Sequence, residues 1–390
     1  MKYSIIIIAF LSFACVGKKK QNDNPILGEE KTTFIIQDLP SNHNFDSDIY
    51  ISGNFEGWSG GREQFKLKHS DSIYSITIPK YRENISFKFT QGKWGTEECQ
   101  LNGNPIENRT YIFNKGDDTV YIKISNWADG KNLIRPSTAS ENVKVFSENF
   151  EIPQLDRTRK ISVYLPPNYE ISNQHYPVLY MQDGQNVFDT STSYSGEWEV
   201  DETLNKLYEE TGFGLIVIAI DHAGDKRFNE YSPWDHQKYG KGEGEEYVNF
   251  LVNTLKPTID KNYRTNPDRN HTAILGSSMG GVISHYALFS NPNIFGKAGI
   301  FSPAFWVVEP IYAFTKEQET TKDLKLYYLV GGEESEEMVA NVERMTNLLK
   351  KNDFPESNLK VKIVPEGIHS ESFWKPEFED AIKFLFEIKN

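Results

Sequence analysis

From Val143 onward the chain alternates two kinds of segment, and this alternation constrains its fold more than any other feature. KISVYLP, PVLYMQDG, LIVIAID, TAILGSS, AGIFSP, KLYYLVGG and KVKIVPEG are short apolar runs. Between them stand helical stretches such as WEVDETLNKLYEE, GEEYVNFLVNTLKPTIDKNY, MGGVISHYALFSN, VANVERMTNLLKKN and FEDAIKFLFEI. Runs that are apolar throughout, rather than at every second residue, belong to strands buried on both faces. Interleaved with helices, they predict a mostly parallel sheet with helices on both sides over 143–390.

The region before it has another rhythm. TTFIIQDL, DIYISGNF, YSITIP, ISFKFTQG, RTYIFN and TVYIKISNW are dense in β-branched and aromatic residues and separated by turns. They predict a small all-β, immunoglobulin-like sandwich over 32–130. Residues 131–142 are polar and aperiodic and read as the linker. With 390 residues, the chain is long enough for both units to bury a core.

The first residues, MKYSIIIIAFLSFACVG, join a positive end to an apolar run from Ile5 to Phe13 that is too short to span a bilayer. The segment resembles a bacterial lipoprotein signal, with 1–17 as signal peptide and lipidation site and Cys15 as the lipidated residue. Cleavage by the ordinary signal peptidase is the alternative. Polar residues 18–31 then read as a tether, and the expected location is the cell envelope, lipid-anchored or secreted. Cys99 is the only other cysteine, so use of Cys15 leaves no intrachain disulfide. A net charge of -13 argues against nucleic acid as a partner.

Two stretches fit the G-x-S-x-G pattern of a nucleophilic serine, which a chain this long matches by accident about one time in ten. Gly57-Trp58-Ser59-Gly60-Gly61 lies among turns of the β region. Gly276-Ser277-Ser278-Met279-Gly280 joins an apolar strand to an apolar-periodic helix, the setting in which a sharp turn projects a serine Oγ above a sheet. Ser278 is therefore the candidate nucleophile. It needs a base, and in this fold the acid and then the histidine come later in the chain. Two histidines follow Ser278. His285, seven residues on in the same helix, reads as a packed or hydrogen-bonded residue, and His369, in the loop EGIHSESFW, as the base. Glu333 and Glu334 stand where the acid belongs, after KLYYLVGG. The backbone N–H of Met279 is one candidate oxyanion donor and that of Gln185, beside Gly184, the other. Asp183 reads equally as a turn cap.

YLPPNY, VLYMQDGQNVFD, GDKRFNEYSPW, GSSMGG, GIFSPAFW and GIHSESFW, in this order across 143–390, resemble the esterase D group of α/β hydrolases. That group includes enterochelin-type siderophore esterases, S-formylglutathione hydrolases, and acetylxylan and feruloyl esterases of carbohydrate esterase family 1. The resemblance implies an acyl-enzyme mechanism with Ser278 as nucleophile, His369 as base and Glu334, by its place after Gly331-Gly332, as acid. Many members carry Asp at the acid position. The resemblance also implies substrate contacts from Arg227, Trp234 and Trp306. Arg227 would hold an anionic catecholate, or else form a bracing pair with Glu230.

YISGNFEGW, FKFTQGKW and NRTYIF resemble starch- and glycogen-binding modules, which makes glucan a possible partner through Trp58 and Trp94. The plainer alternative places those tryptophans in the sandwich core. The expected substrate is a carbohydrate acyl ester, acetyl or feruloyl, with a siderophore ester as the alternative. A non-catalytic surface lipoprotein that binds glucan or siderophore is the rival from another class. No H-E-x-x-H, no C-x-x-C and no G-x-G-x-x-G after a strand occurs, so the expected chemistry needs no metal or nucleotide cofactor.

Overall fold

The computed structural model describes residues 26–388 except 42, 71–72, 82–83, 114, 129–135, 194 and 319–322. The signal and lipidation segment, including Cys15, lies outside the described residues.

Eight strands build the large sheet: β1 (Val143–Ile152), β2 (Arg157–Tyr164), β3 (Val178–Gln182), β4 (Ile216–Ile220), β5 (Thr272–Ser277), β6 (Lys297–Phe301), β7 (Lys325–Gly331) and β8 (Leu359–Val364). Their spatial order is β1-β2-β4-β3-β5-β6-β7-β8. The pairs β1/β2 and β2/β4 are antiparallel, and every pair from β4 to β8 is parallel. Alternation along the central strands divides the interior into two cores. Val178, Tyr180, Ile216, Ile218, Ile274 and Ile300 face helices α2 (Met279–Ser290) and α3 (Glu336–Lys351). Leu179, Met181, Val217, Ala219, Leu275 and Phe301 face α1 (Val200–Thr211) and α4 (Glu371–Phe386). This is why the sequence runs were apolar without alternation: both faces of each strand are covered, and each large apolar side chain so buried contributes about 1.5–3 kcal/mol. Helix α2 is buried from Met279 to Phe289, which explains its lack of a polar stripe.

The N-terminal region is a β-sandwich. One sheet orders Lys68–Ser70, Ile73–Tyr81, Ile26–Asp38 and Asp118–Lys123; the facing sheet orders Tyr50–Gly53, Ile85–Thr90 and Arg109–Tyr111. Phe34, Ile76, Ile78, Phe87 and Phe89 lie in its core, with Phe34 edge-on to Phe87 at 5.1 Å.

One sequence expectation is corrected here. The stretch 18–31 is not a tether to its end, because a strand begins at Ile26, paired with Tyr81, and has Lys31 opposite Pro79. Polar composition did not prevent backbone pairing at the sheet's end. The described part of the linker, from residue 136, is pinned to the hydrolase: Ser137 Oγ donates to Asp189 (2.7 Å), Thr138 Oγ1 to Glu197 (2.8 Å) and the Ser140 N–H to Asp201 (2.7 Å).

Candidate active site

Strand β5 ends at Ser277 and helix α2 begins at Met279, so Ser278 alone makes the turn. It does so at φ 56°, ψ -123°, a conformation that costs a non-glycine residue about 1–3 kcal/mol and holds its side chain off the sheet edge. The flanking glycines supply room. A Cβ on Gly276 would stand 2.5 Å from the Gly280 carbonyl oxygen, and one on Gly280 would stand 3.1 Å from Gln182 Cβ and from an Asp183 carboxylate oxygen. The loop after β6 docks on the elbow: the Ser278 N–H donates to Phe301 O (2.9 Å) and the Ala304 N–H to Ser278 O (3.2 Å).

Glu334 follows β7 and is almost wholly enclosed, its side chain 1% exposed. Its Oε2 lies 2.7 Å from His369 Nδ1, and its Oε1 accepts from the Gly331 N–H (2.8 Å) and from Ser302 Oγ. These bonds fix the carboxylate and present it to one ring nitrogen, which sets the tautomer and leaves Nε2 on the far side of the ring. Three glycines make the approach possible. A Cβ on Gly331 would meet Gly367 O at 2.2 Å, one on Gly332 would meet Pro365 O at 2.5 Å, and one on Gly367 would meet the Phe373 ring. Glu333 is exposed and contributes only backbone, its N–H donating to Gly367 O (3.0 Å). The structure thus brings Glu334, not Glu333, to His369. It records no hydrogen bond between Ser278 Oγ and His369; contacts of this kind commonly tighten only when substrate binds.

Neither the Met279 nor the Gln185 N–H donates to an acceptor among the described residues. Gly184 lies so close to β4 that a Cβ would meet Ile220 N at 2.6 Å, and the Gln185 side chain accepts from the His222 N–H (3.3 Å), which fixes the loop.

Arg227 does not pair with Glu230. Its guanidinium grips Asp183 through two bonds (2.6 and 2.8 Å), beside the elbow at Gly280, while Glu230 is fully buried with Arg157 and Arg159 of β2. Glu230 thus already has two guanidinium partners. Asp183 caps no helix with its side chain and sits at φ 55°. Trp234 packs edge-on against Tyr286 and Phe314 at the margin of the core. Trp306 is 48% exposed, two residues past Ala304. His285 is enclosed, its ring between the Tyr328 hydroxyl (2.7 Å) and Thr315 Oγ1 (2.8 Å), and burial pushes its pKa down to about 3. Trp58 and Trp94 are neither core nor fully exposed: Trp94 Nε1 donates to Trp58 O (2.8 Å), with both rings half-buried outside the sandwich core.

Sequence reasoning missed three residues. Ser302 bridges Trp374 Nε1 (2.8 Å) to Glu334, and Trp374 stands edge-on to the His369 ring at 4.9 Å. Glu371 is buried where it accepts from Asn186 Nδ2 (3.1 Å) and Ser195 Oγ (2.5 Å); burial raises its pKa. Ser302 sits in GIFSPAFW, and Glu371 and Trp374 sit in GIHSESFW, so position in a motif was the available signal for all three. Glu371 opens a helix, where an acid suits the dipole and draws no attention.

The "Putative esterase" family model matches residues 152–385, more than half of the chain, and the chain belongs to that esterase family. It is a carboxylic ester hydrolase of the α/β-hydrolase fold. Among curated relatives, the uncharacterized protein YbbA of Bacillus subtilis (strain 168) is 25% identical, over 58% of this chain and 92% of its own length. The endo-1,4-beta-xylanase/feruloyl esterase of Xylanibacter ruminicola is 28% identical over 58% of this chain but only 29% of its own length. Among solved structures, the enterobactin esterase of Shigella flexneri, solved in the presence of 2,3-di-hydroxy-N-benzoyl-glycine, superposes over 91% of this chain and 93% of its own with a TM-score of 0.52 at 12% identity, a likeness of fold that includes the N-terminal region.

Proposed function

We propose that this chain hydrolyses a carbohydrate acyl ester, acetyl or feruloyl, through a covalent acyl-enzyme on Ser278. The observation that carries this reading is the enclosed Glu334 carboxylate on His369 Nδ1, at the same sheet edge as a strained Ser278. In the first half-reaction Ser278 Oγ attacks the ester carbonyl carbon while His369 Nε2 takes its proton. The N–H groups of Met279 and Gln185 receive the developing oxyanion, and the imidazolium, steadied by Glu334, returns the proton to the leaving alcohol. Water then repeats the sequence on the acyl-enzyme and releases the acid. No step calls on a metal or cofactor.

A siderophore ester is the second reading. It is favoured by Arg227, whose guanidinium keeps part of its surface exposed beside the elbow after binding Asp183. Hydrolysis of p-nitrophenyl acetate tests the chemistry; acetylated xylan, a feruloylated oligosaccharide and enterobactin, tried side by side, test the substrate. An inert protein on all four overturns the reading.

Lipidation at Cys15 and an envelope location are further proposals, resting on residues 1–17 alone. Mass spectrometry of the membrane fraction should find a diacylglyceryl N-terminus; a soluble chain with unmodified Cys15 refutes it. Sugar binding by the sandwich is tested by pull-down on insoluble starch or glycogen, where no retention refutes it.

A further inference from the structure

Three lysines are buried among the described residues, and two have evident partners. Lys80 donates to Gly116 O and approaches Glu30, and Lys256 binds Asp260 and Pro267 O. Lys88 is the third. It is 6% exposed, and no hydrogen bond or ion pair reaches its ammonium among the described residues. A buried cation without a partner is costly, and most buried charges are paired for that reason.

Its place in the fold suggests what it awaits. Lys88 lies on the sandwich strand Ile85–Thr90, whose Ile85, Phe87 and Phe89 point into the sandwich core. By alternation Lys88 points away from that core, on the side shared with Ser86 and, just before the strand, Asn84. This outer side faces the hydrolase. Asn84 Nδ2 donates to the Glu333 carbonyl (3.4 Å), in the loop after β7 that carries Glu334. The turn after the neighbouring strand Tyr50–Gly53, in which Ser52 pairs with Lys88, lies against the segment 231–243 that follows β4 and the short helix Arg227–Glu230: a Cβ on Gly57 would stand 2.9 Å from Lys238 Nζ and 3.3 Å from the Tyr239 hydroxyl. Strands β4 and β7 flank β3, β5 and β6 in the sheet, and β5 ends in Ser278. A sandwich resting on the segment after Arg227–Glu230, whose Arg227 grips Asp183 just past the end of β3, and on the loop after β7 therefore lies over the strand ends between them, with Lys88 on its hydrolase-facing side. Burial pushes the Lys88 ammonium down, partly offset by Glu97, Glu98 and Glu107 of the sandwich and, across the interface, by Glu371, two residues from His369.

We propose that Lys88 is a substrate-binding cation above Ser278, and that the ester this chain hydrolyses carries an anionic group, a carboxylate or a catecholate, away from the bond that breaks. The inference rests on the esterase reading above and narrows its substrate class. It gives the sandwich a part in specificity: a neutral ester leaves the Lys88 ammonium with carboxylates in its neighbourhood but none bonded to it, whereas an anion at the right distance gives it a bonded partner.

The test uses the full chain and matched ester pairs. One arm compares acetylated xylo-oligosaccharides with and without a glucuronosyl substituent; the other compares ferric enterobactin, whose catechol oxygens are ionised by the bound metal, with the O-methylated, uncharged analogue. For wild type, Lys88→Met and Lys88→Arg, the quantity read is the ratio of kcat/KM for the anionic member to that for the neutral member. We expect a ratio above one in wild type in at least one arm, the arm itself distinguishing carboxylate from catecholate. Lys88→Met should lower that ratio about ten-fold or more, as for loss of one hydrogen bond to a charged group, and Lys88→Arg should restore most of it. Because a ratio cancels any loss of folded protein, equal ratios in wild type and Lys88→Met overturn the inference even if absolute rates fall. Absence of any preference in wild type in both arms also overturns it, with the esterase reading intact if p-nitrophenyl acetate is cleaved. A wild type inert on every ester removes both.

Discussion

Ser59 and Ser278 each stand two residues from a glycine on either side, yet the strain falls on different residues in the two loops. Around Ser59, Gly57 and Gly60 take φ of 85° and 78° and Trp58 takes 55°, while the serine itself is unstrained, exposed and tied by its N–H to Glu56 Oε1 (2.8 Å). Around Ser278 the division is reversed. The serine takes the positive φ, and Gly276 and Gly280 keep ordinary backbone and supply space. A glycine that absorbs a turn makes a loop; a serine forced to absorb it, because strand and helix leave no other residue between them, becomes a projected nucleophile. The difference lies in the flanking elements, which the five-residue pattern does not contain.

The largest effect that separates the two loops is on turnover. Ser278→Ala and His369→Ala should each lower kcat on p-nitrophenyl acetate on the order of 10^4-fold or more with circular dichroism unchanged, since each removes a member of one catalytic unit. Ser59→Ala should match wild type. Wild-type turnover in Ser278→Ala breaks the comparison at its root.

Next comes the acid. Glu334→Gln keeps the shape of the side chain but loses the charge that steadies His369, so kcat should fall about 10^2- to 10^4-fold, whereas Glu333→Gln should stay within about two-fold of wild type, as for a surface side chain. Steady-state kinetics of the pair decides; a severe Glu333→Gln would move the acid by one residue. Glu333 and Glu334 also mark the limit of what the sequence disclosed. Strand and helix order was readable because burial on both faces leaves unbroken apolar runs, and Ser278, His369 and the neighbourhood of the acid were readable from that order. The choice between adjacent glutamates was not, because it depends on the turn that brings the Gly331 N–H onto Glu334 and on Ser302, which reaches it from the loop after β6. The partner of Arg227 stayed open for the same reason: Glu230 is three residues away in sequence, but its partners come from a neighbouring strand and leave Arg227 to Asp183.

The glycines offer a finer comparison. Gly61→Ala would drive a Cβ to 2.0 Å from Gly92 O, and Gly276→Ala to 2.5 Å from Gly280 O. Both contacts are with backbone, so both substitutions should destabilise by about 1–3 kcal/mol in denaturant melts. Only Gly276→Ala should also lower the turnover of the folded fraction, because it moves the elbow itself. Equal turnover in the two variants would mean that the elbow tolerates displacement and that its strained geometry matters less than its sequence context.

The smallest effect extends the contrast from serines to histidines. His369 is 35% exposed with a carboxylate on Nδ1; His285 is wholly buried, between two hydroxyls, with no charge beside it. Burial holds the folded pKa of His285 at about 3, against about 6.5 when unfolded. Above about pH 6.5 both states hold the ring neutral, and its contribution to stability is complete. Below that the unfolded chain takes up a proton that the folded chain refuses, so stability falls with decreasing pH until about 3, with a slope of up to about 1.4 kcal/mol per pH unit from this residue. His285→Gln should be less stable at pH 7, having lost the fit between Tyr328 and Thr315, but it should lack this component of the slope. Denaturant melts of both proteins at pH 7, 5.5 and 4.5 should therefore converge as the pH falls. Parallel losses would show that His285 takes its proton inside the fold, and that its burial does not set it apart from His369.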